Sequence, residues 1–125
     1  MSDIINLADK LSLFDETWTP KIIAELNGQQ VKLAKLKGDL TWHTHEDEDE
    51  LFLILEGSLL IQIKNESGEI EDVHLEKGDI YIVKRGVEHN PIAKDGASVL
   101  LFEPAATKHT GHLMIDRTVT DQEFI

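Results

Sequence analysis

Cysteine is absent from this chain, so no disulfide can staple the fold and no thiolate can act as ligand or nucleophile. That suits a reducing compartment, and a cytoplasmic protein is expected. Positive charge is scarce. Only 12 Lys and Arg stand against 24 Asp and Glu, giving a formal net charge of −12 with His neutral. Such a chain repels phosphate backbones and anionic membranes, and no basic stripe or helix-turn-helix segment offsets this. No nucleic-acid or membrane partner is therefore expected. Long apolar runs are missing too. No segment approaches the roughly 20 apolar residues of a membrane helix, and Met1-Ser2-Asp3-Ile4-Ile5 lacks the pattern of a signal peptide. Neither a low-complexity linker nor a clear internal repeat divides the chain.

What is present suffices for one folded domain: 125 residues, 41% of them hydrophobic. Ile4, Leu7, Leu11 and Phe14 fall on one helical face, which predicts a short helix capped by Ser2 or Asp3. Pro20 then closes an N-terminal segment of residues 1–20, and residues 21–125 read as a single β domain. Lys21 to Leu26 predicts a strand, with Asn27-Gly28 as a hairpin turn. From Gln30 to Lys37 the chain alternates, with Val31, Leu33 and Lys35 on one side and Lys32, Ala34 and Leu36 on the other. Further strands are expected at Thr41–His45, Leu51–Glu56, Leu59–Lys64 after a turn at Gly57-Ser58, Ile70–Leu75, Ile80–Val83, Val99–Glu103 and Leu113–Ile115. Many short strands separated by frequent turns predict an all-β sandwich or barrel.

The chemistry concentrates around two histidines, His43 and His45, one residue apart. On a strand, both side chains emerge from the same face and can converge on one ion, at about 2.0–2.1 Å for zinc. Glu50 shares a face with Phe52 and Ile54; among such neighbours a lone carboxylate is costly to bury, and a cation removes the cost. Asp49 is the rival, but strand parity sends it to the opposite face with Leu51. His89, beyond the turn at residues 84–88, can supply a third imidazole. His43, His45, Glu50 and His89 are thus the candidate metal ligands, for a divalent transition metal (Fe, Mn, Ni, Co or Zn) with a position left open. The acidic run from Glu46 to Glu48 reads as a solvated loop, because the glycine of an EF-hand turn is missing. His74, His109 and His112 read as surface or structural residues.

These residues resemble the two motifs of the cupin superfamily. From His43 the first motif matches in full: His43-Thr44-His45, four residues, Glu50, six residues, Gly57. Gly38 stands one position too close to His43. In the second motif Gly78, Gly86 and His89 fall in place, while Lys84 replaces the usual proline and Ala93 the usual asparagine. The resemblance implies a double-stranded β-helix, a jelly-roll barrel of two antiparallel sheets with the metal inside. More narrowly, the layout is similar to small single-domain cupins of the mannose-6-phosphate isomerase-like type. It also implies a homodimer, with Lys21 to Leu26 as the strand packed between subunits.

The expected function is that of a metal-dependent enzyme acting on a small organic molecule, as an isomerase, a lyase or a dioxygenase. A non-catalytic small-molecule-binding module is the alternative. Proton transfer would need a base, for which Tyr81, Glu25 and Glu103 are the candidates. Tyr81 reads better as a core aromatic with a hydrogen-bonded hydroxyl.

Overall fold

The computed structural model describes residues 3–105 and 122–125. The strand expected at Leu113–Ile115, and His109 and His112, lie outside the described residues. Among these residues one short helix and six strands follow in order: α1 (Leu7–Leu11), β1 (Lys21–Leu26), β2 (Gln29–Asp39), β3 (Glu50–Lys64), β4 (Ile70–Glu76), β5 (Ile80–Val83) and β6 (His89–Pro104). The strands form a single antiparallel sheet in the order β1-β2-β6-β3-β4, with β5 also on β3. Among the described residues the two halves of the barrel are not separate hydrogen-bonded sheets, because β3 and β6 are long enough to serve both. The first part of β3 pairs with β5 and the end of β6; its second part pairs with β4 and the start of β6.

That continuity corrects the turn expected at Gly57-Ser58. A Gly-Ser pair between apolar runs reads as a hairpin, yet here it forms an irregularity within one strand. Gly57 adopts φ +78°, and its missing Cβ lets the Gly96 backbone pass directly against it. Across this point the inward parity switches from Phe52 and Ile54 to Leu59, Ile61 and Ile63. Gly57→Ala is therefore expected to cost roughly 2–4 kcal/mol, from the left-handed backbone plus the clash. Gly68→Ala has a similar φ of +85° but open space around it, and should lose only the backbone part, about 1–2 kcal/mol. Denaturant unfolding of both variants checks this; equal losses would contradict it.

The barrel interior collects Ala34 and Leu36 from β2, Phe52, Ile54, Leu59, Ile61 and Ile63 from β3, and Ala93, Val99 and Leu101 from β6. Trp18 joins them. Its indole N–H donates to the Lys37 carbonyl at 2.8 Å, and its backbone N–H to Lys35 at 2.8 Å. A second apolar cluster lies on the outer face of the sheet, where Phe14, Ile23 and Leu33 are covered by Leu7 and Leu11. So α1 exists because Leu7 and Leu11 have this face to bury. It is shorter than the sequence suggests: Ile4 is 85% exposed, and the cap is Asn6, whose Oδ1 accepts from the Asp9 N–H at 2.9 Å.

Candidate metal centre

Thr41–His45 is not a strand. His43 makes an isolated antiparallel bridge with His89, the first residue of β6, and the two exchange both backbone hydrogen bonds at 2.9 Å. The Gly86 N–H then donates to the His45 carbonyl at 2.8 Å, tying the second motif's turn to the first motif. Alternation survives without a ladder, and both His43 and His45 are buried. Glu50 opens β3 on the face of Phe52, buried as parity predicts. Asp49 points out and accepts from the Arg85 N–H at 2.9 Å.

The structure brings His43, His45, Glu50 and His89 together, with one potential donor atom from each lying within 4.8 Å of all the others. Glu50 Oε1 is 3.5 Å from His45 Nε2 and 3.7 Å from His89 Nε2. The ring nitrogens are sorted by their surroundings. His43 Nδ1 sits 2.9 Å from the Thr41 carbonyl and His89 Nδ1 sits 2.9 Å from the Val87 carbonyl. A carbonyl only accepts, so each Nδ1 carries the proton and each Nε2 presents a lone pair. The Nε2 atoms of His43, His45 and His89 are all buried with no hydrogen-bond partner. For His43 and His89 these are orphaned lone pairs beside a buried carboxylate, which cost free energy unless something electropositive sits among them, and a metal ion fits that description. The cluster could hold a divalent metal.

Residues 29–103 match the cupin domain family. The chain is a cupin. A cupin-2 domain containing protein from Shewanella frigidimarina NCIMB 400 is 40% identical, with a TM-score of 0.75 over 81% of this chain and 94% of that one. A Neisseria meningitidis protein is 32% identical, with a TM-score of 0.72 over 82% of this chain and all of that one. The uncharacterized protein YdbB of Bacillus subtilis (strain 168) is 40% identical over 67 residues, which are 54% of this chain and 56% of YdbB. The match thus spans little more than half the length of that curated relative.

The two departures from the cupin motifs have local consequences only. Lys84 is exposed and its carbonyl still accepts from the Val87 N–H at 3.2 Å, so the turn forms without proline. Ala93 is fully buried in the core, opposite Gly38. Of the proton-transfer candidates, Tyr81 is half-buried against the core with Phe52 as its cross-strand partner. Glu25 is exposed and accepts from Gln30 Nε2 at 2.8 Å. Glu103 is different. It is fully buried and accepts from Lys32 Nζ at 2.9 Å, with Lys32 also fully buried. The inward alternation of Val99, Leu101 and Glu103 carried this signal in the sequence. His74 is exposed on β4, away from the cluster.

The cavity beside the cluster of this cupin is walled by Trp18, Leu36, Leu40, Phe52, Val99 and Leu101, with His43 and Glu50 among its few polar groups. Free space within it is ≈ 20 Å³, about the room one water needs. Electrostatics follow from that dryness. Burial, reinforced by His89, lowers the His43 pKa from 6.5 to about 4. Burial also opposes charge on His45, but the Glu50 carboxylate outweighs it and the His45 pKa rises. Glu50 is held well below the usual carboxylate range because His45 and His89 outweigh its burial.

A pH dependence follows for the chelator-treated protein. The unfolded chain takes a proton on His43 near pH 6.5, whereas the folded chain refuses it until about pH 4. The stability that neutral His43 contributes is full above pH 6.5 and is lost as pH falls through 4, on the order of 3 kcal/mol. His45, shifted upward, acts in the opposite sense, so the comparison must isolate His43. The unfolding free energy of wild type relative to His43→Gln should fall by that amount between pH 7 and pH 4. A constant difference would mean that His43 titrates as if in water.

Proposed function

We propose that this cupin is a metal-dependent enzyme whose substrate is a small, uncharged organic molecule. The observation that carries this reading is the convergence of three buried, unpartnered Nε2 atoms and the Glu50 carboxylate inside the barrel. His43, His45, Glu50 and His89 would hold one divalent ion, and Fe, Mn, Ni, Co and Zn all accept such a donor set. Bound there, the ion supplies Lewis acidity toward a carbonyl or hydroxyl oxygen or, as iron, redox chemistry with dioxygen.

The chain's own residues do the rest. The carbonyls of Thr41 and Val87 fix two imidazoles in the tautomer that turns Nε2 to the cavity. Trp18, Leu36, Leu40, Phe52, Val99 and Leu101 exclude water and favour an apolar body on the bound molecule. No Lys or Arg lines this cavity among the described residues, so a phosphate dianion would meet no side-chain counter-charge, only the bound ion already half-neutralised by Glu50. That disfavours a sugar phosphate and supports a neutral ketone, alcohol or phenol. The small free space further requires that the walls yield on binding.

The test is metal analysis of the purified protein, followed by a screen of neutral phenols, alcohols and ketones against sugar phosphates. One transition-metal ion per chain and turnover confined to the uncharged set are expected. Oxygen uptake with iron would assign a dioxygenase; isomerisation or elimination with zinc or manganese would assign the other class. Absence of bound metal, or turnover of sugar phosphates alone, would overturn the reading. Firm ligand binding without turnover would make the domain a binding module.

A further inference from the structure

The buried pair Lys32–Glu103 lies one strand away from the proposed metal ligands. β2, β6 and β3 are neighbours in the sheet, and Leu51 pairs with Phe102, so Glu50 and Glu103 stand side by side on the inner face. Lys32 reaches Glu103 Oε1 across the β2–β6 ladder at 2.9 Å. The register thus sets the Glu103 carboxyl directly across from Glu50, while among the described residues no donor reaches Glu103 Oε2.

Stability alone does not explain the pair. Two apolar side chains of similar volume hold a barrel together as well as a buried ion pair, and often better. Around Lys32 and Glu103 the nearby inward positions of the same strands are Gln30, Ala34, Leu36, Val99 and Leu101, all but Gln30 apolar. A buried Lys–Glu pair persists in this setting, directly beside one of the four donors. Ligating carboxylates lose definition unless their own neighbours fix them.

Building on the metal site proposed above, we infer that Glu103, pinned by Lys32, is a positioning residue that fixes the Glu50 carboxylate as the fourth donor. Lys32 sets the rotamer of Glu103. Glu103 in turn limits where the Glu50 carboxylate can swing. The row Lys32–Glu103–Glu50 transmits that constraint across three strands without touching the bound molecule.

The experiment uses Co(II), whose visible absorption reports donor geometry, on wild type, Glu103→Gln, Lys32→Met/Glu103→Leu and Lys32→Met/Glu103→Gln. Wild type should bind one Co(II) per chain; failure there would strike the metal reading itself. Glu103→Gln keeps shape and polarity, accepting from Lys32 and donating to Glu50, and should keep the wild-type spectrum with affinity within about threefold. Lys32→Met/Glu103→Leu should bind about 10–100-fold more weakly with shifted bands. Should that variant fail to fold, the near-isosteric Lys32→Met/Glu103→Gln decides: loss of the anchor should shift the bands relative to Glu103→Gln alone. Wild-type affinity and spectrum in whichever double variant is folded would overturn the inference.

Discussion

His43→Ala is expected to reduce bound metal from one ion per chain to almost none, while His74→Ala leaves it unchanged. The contrast isolates position from residue type. His43 is 3% exposed, with its Nδ1 tethered and its Nε2 facing the cluster, whereas His74 is exposed on β4. Removing one imidazole leaves His45, Glu50 and His89, and the bridge partner His89 also loses the ring packed against it at 4.3 Å between centroids. Metal content by elemental analysis reads the first effect. Thermodynamic linkage reads a second. Metal at 100 times its Kd should stabilise wild type by about 2.7 kcal/mol and His43→Ala hardly at all. Alanine itself should cost the chelator-treated protein the cavity it opens and the Nδ1–H bond to Thr41, partly offset because it also removes a buried nitrogen that lacks a partner. Equal metal content in wild type and His43→Ala would leave a metal-free barrel as the surviving description.

Much of this centre was legible because period-two alternation needs only neighbours in sequence. His43 and His45 turn inward, Glu50 follows Phe52 and Ile54, and Asp49 turns out, all as parity requires. Parity even set Lys32 on the side of Ala34 and Leu36. What parity could not give was anything decided by a distant backbone. Gly57-Ser58 has the residues of a hairpin turn, but Gly96 packs against it from β6 and keeps β3 running. Pro91, Asp95 and Gly96 look like loop residues, yet β6 begins at His89, because the first half of that strand has Ile61 and Ile63 as partners. His43 and His45 needed only a bridge, since the single contact with His89 fixes the direction of the chain. The role of Glu103 was the least visible. Its inward parity could be read, but not that a lysine 71 residues earlier would be its partner.

Glu103→Leu is expected to destabilise the chelator-treated protein by about 3–5 kcal/mol at pH 7, and adding Lys32→Met should recover most of that loss. The single substitution takes away the carboxyl oxygen that accepts from Lys32 at 2.9 Å while the ammonium stays buried, its side chain only 1% exposed. The second substitution removes that ammonium. Opposing influences meet at Glu103: burial and the adjacent Glu50 raise its pKa well above the usual range, and Lys32 pulls it back down. A carboxyl shifted upward favours folding below its unfolded pKa and costs stability as pH rises toward the folded value. Lys32 therefore limits the cost at neutral pH, which is why losing one partner matters and losing both does not. A double-mutant cycle by urea unfolding measures the coupling. Additive losses would mean that Lys32 and Glu103 act separately, and the row of side chains leading to Glu50 would then have no common anchor.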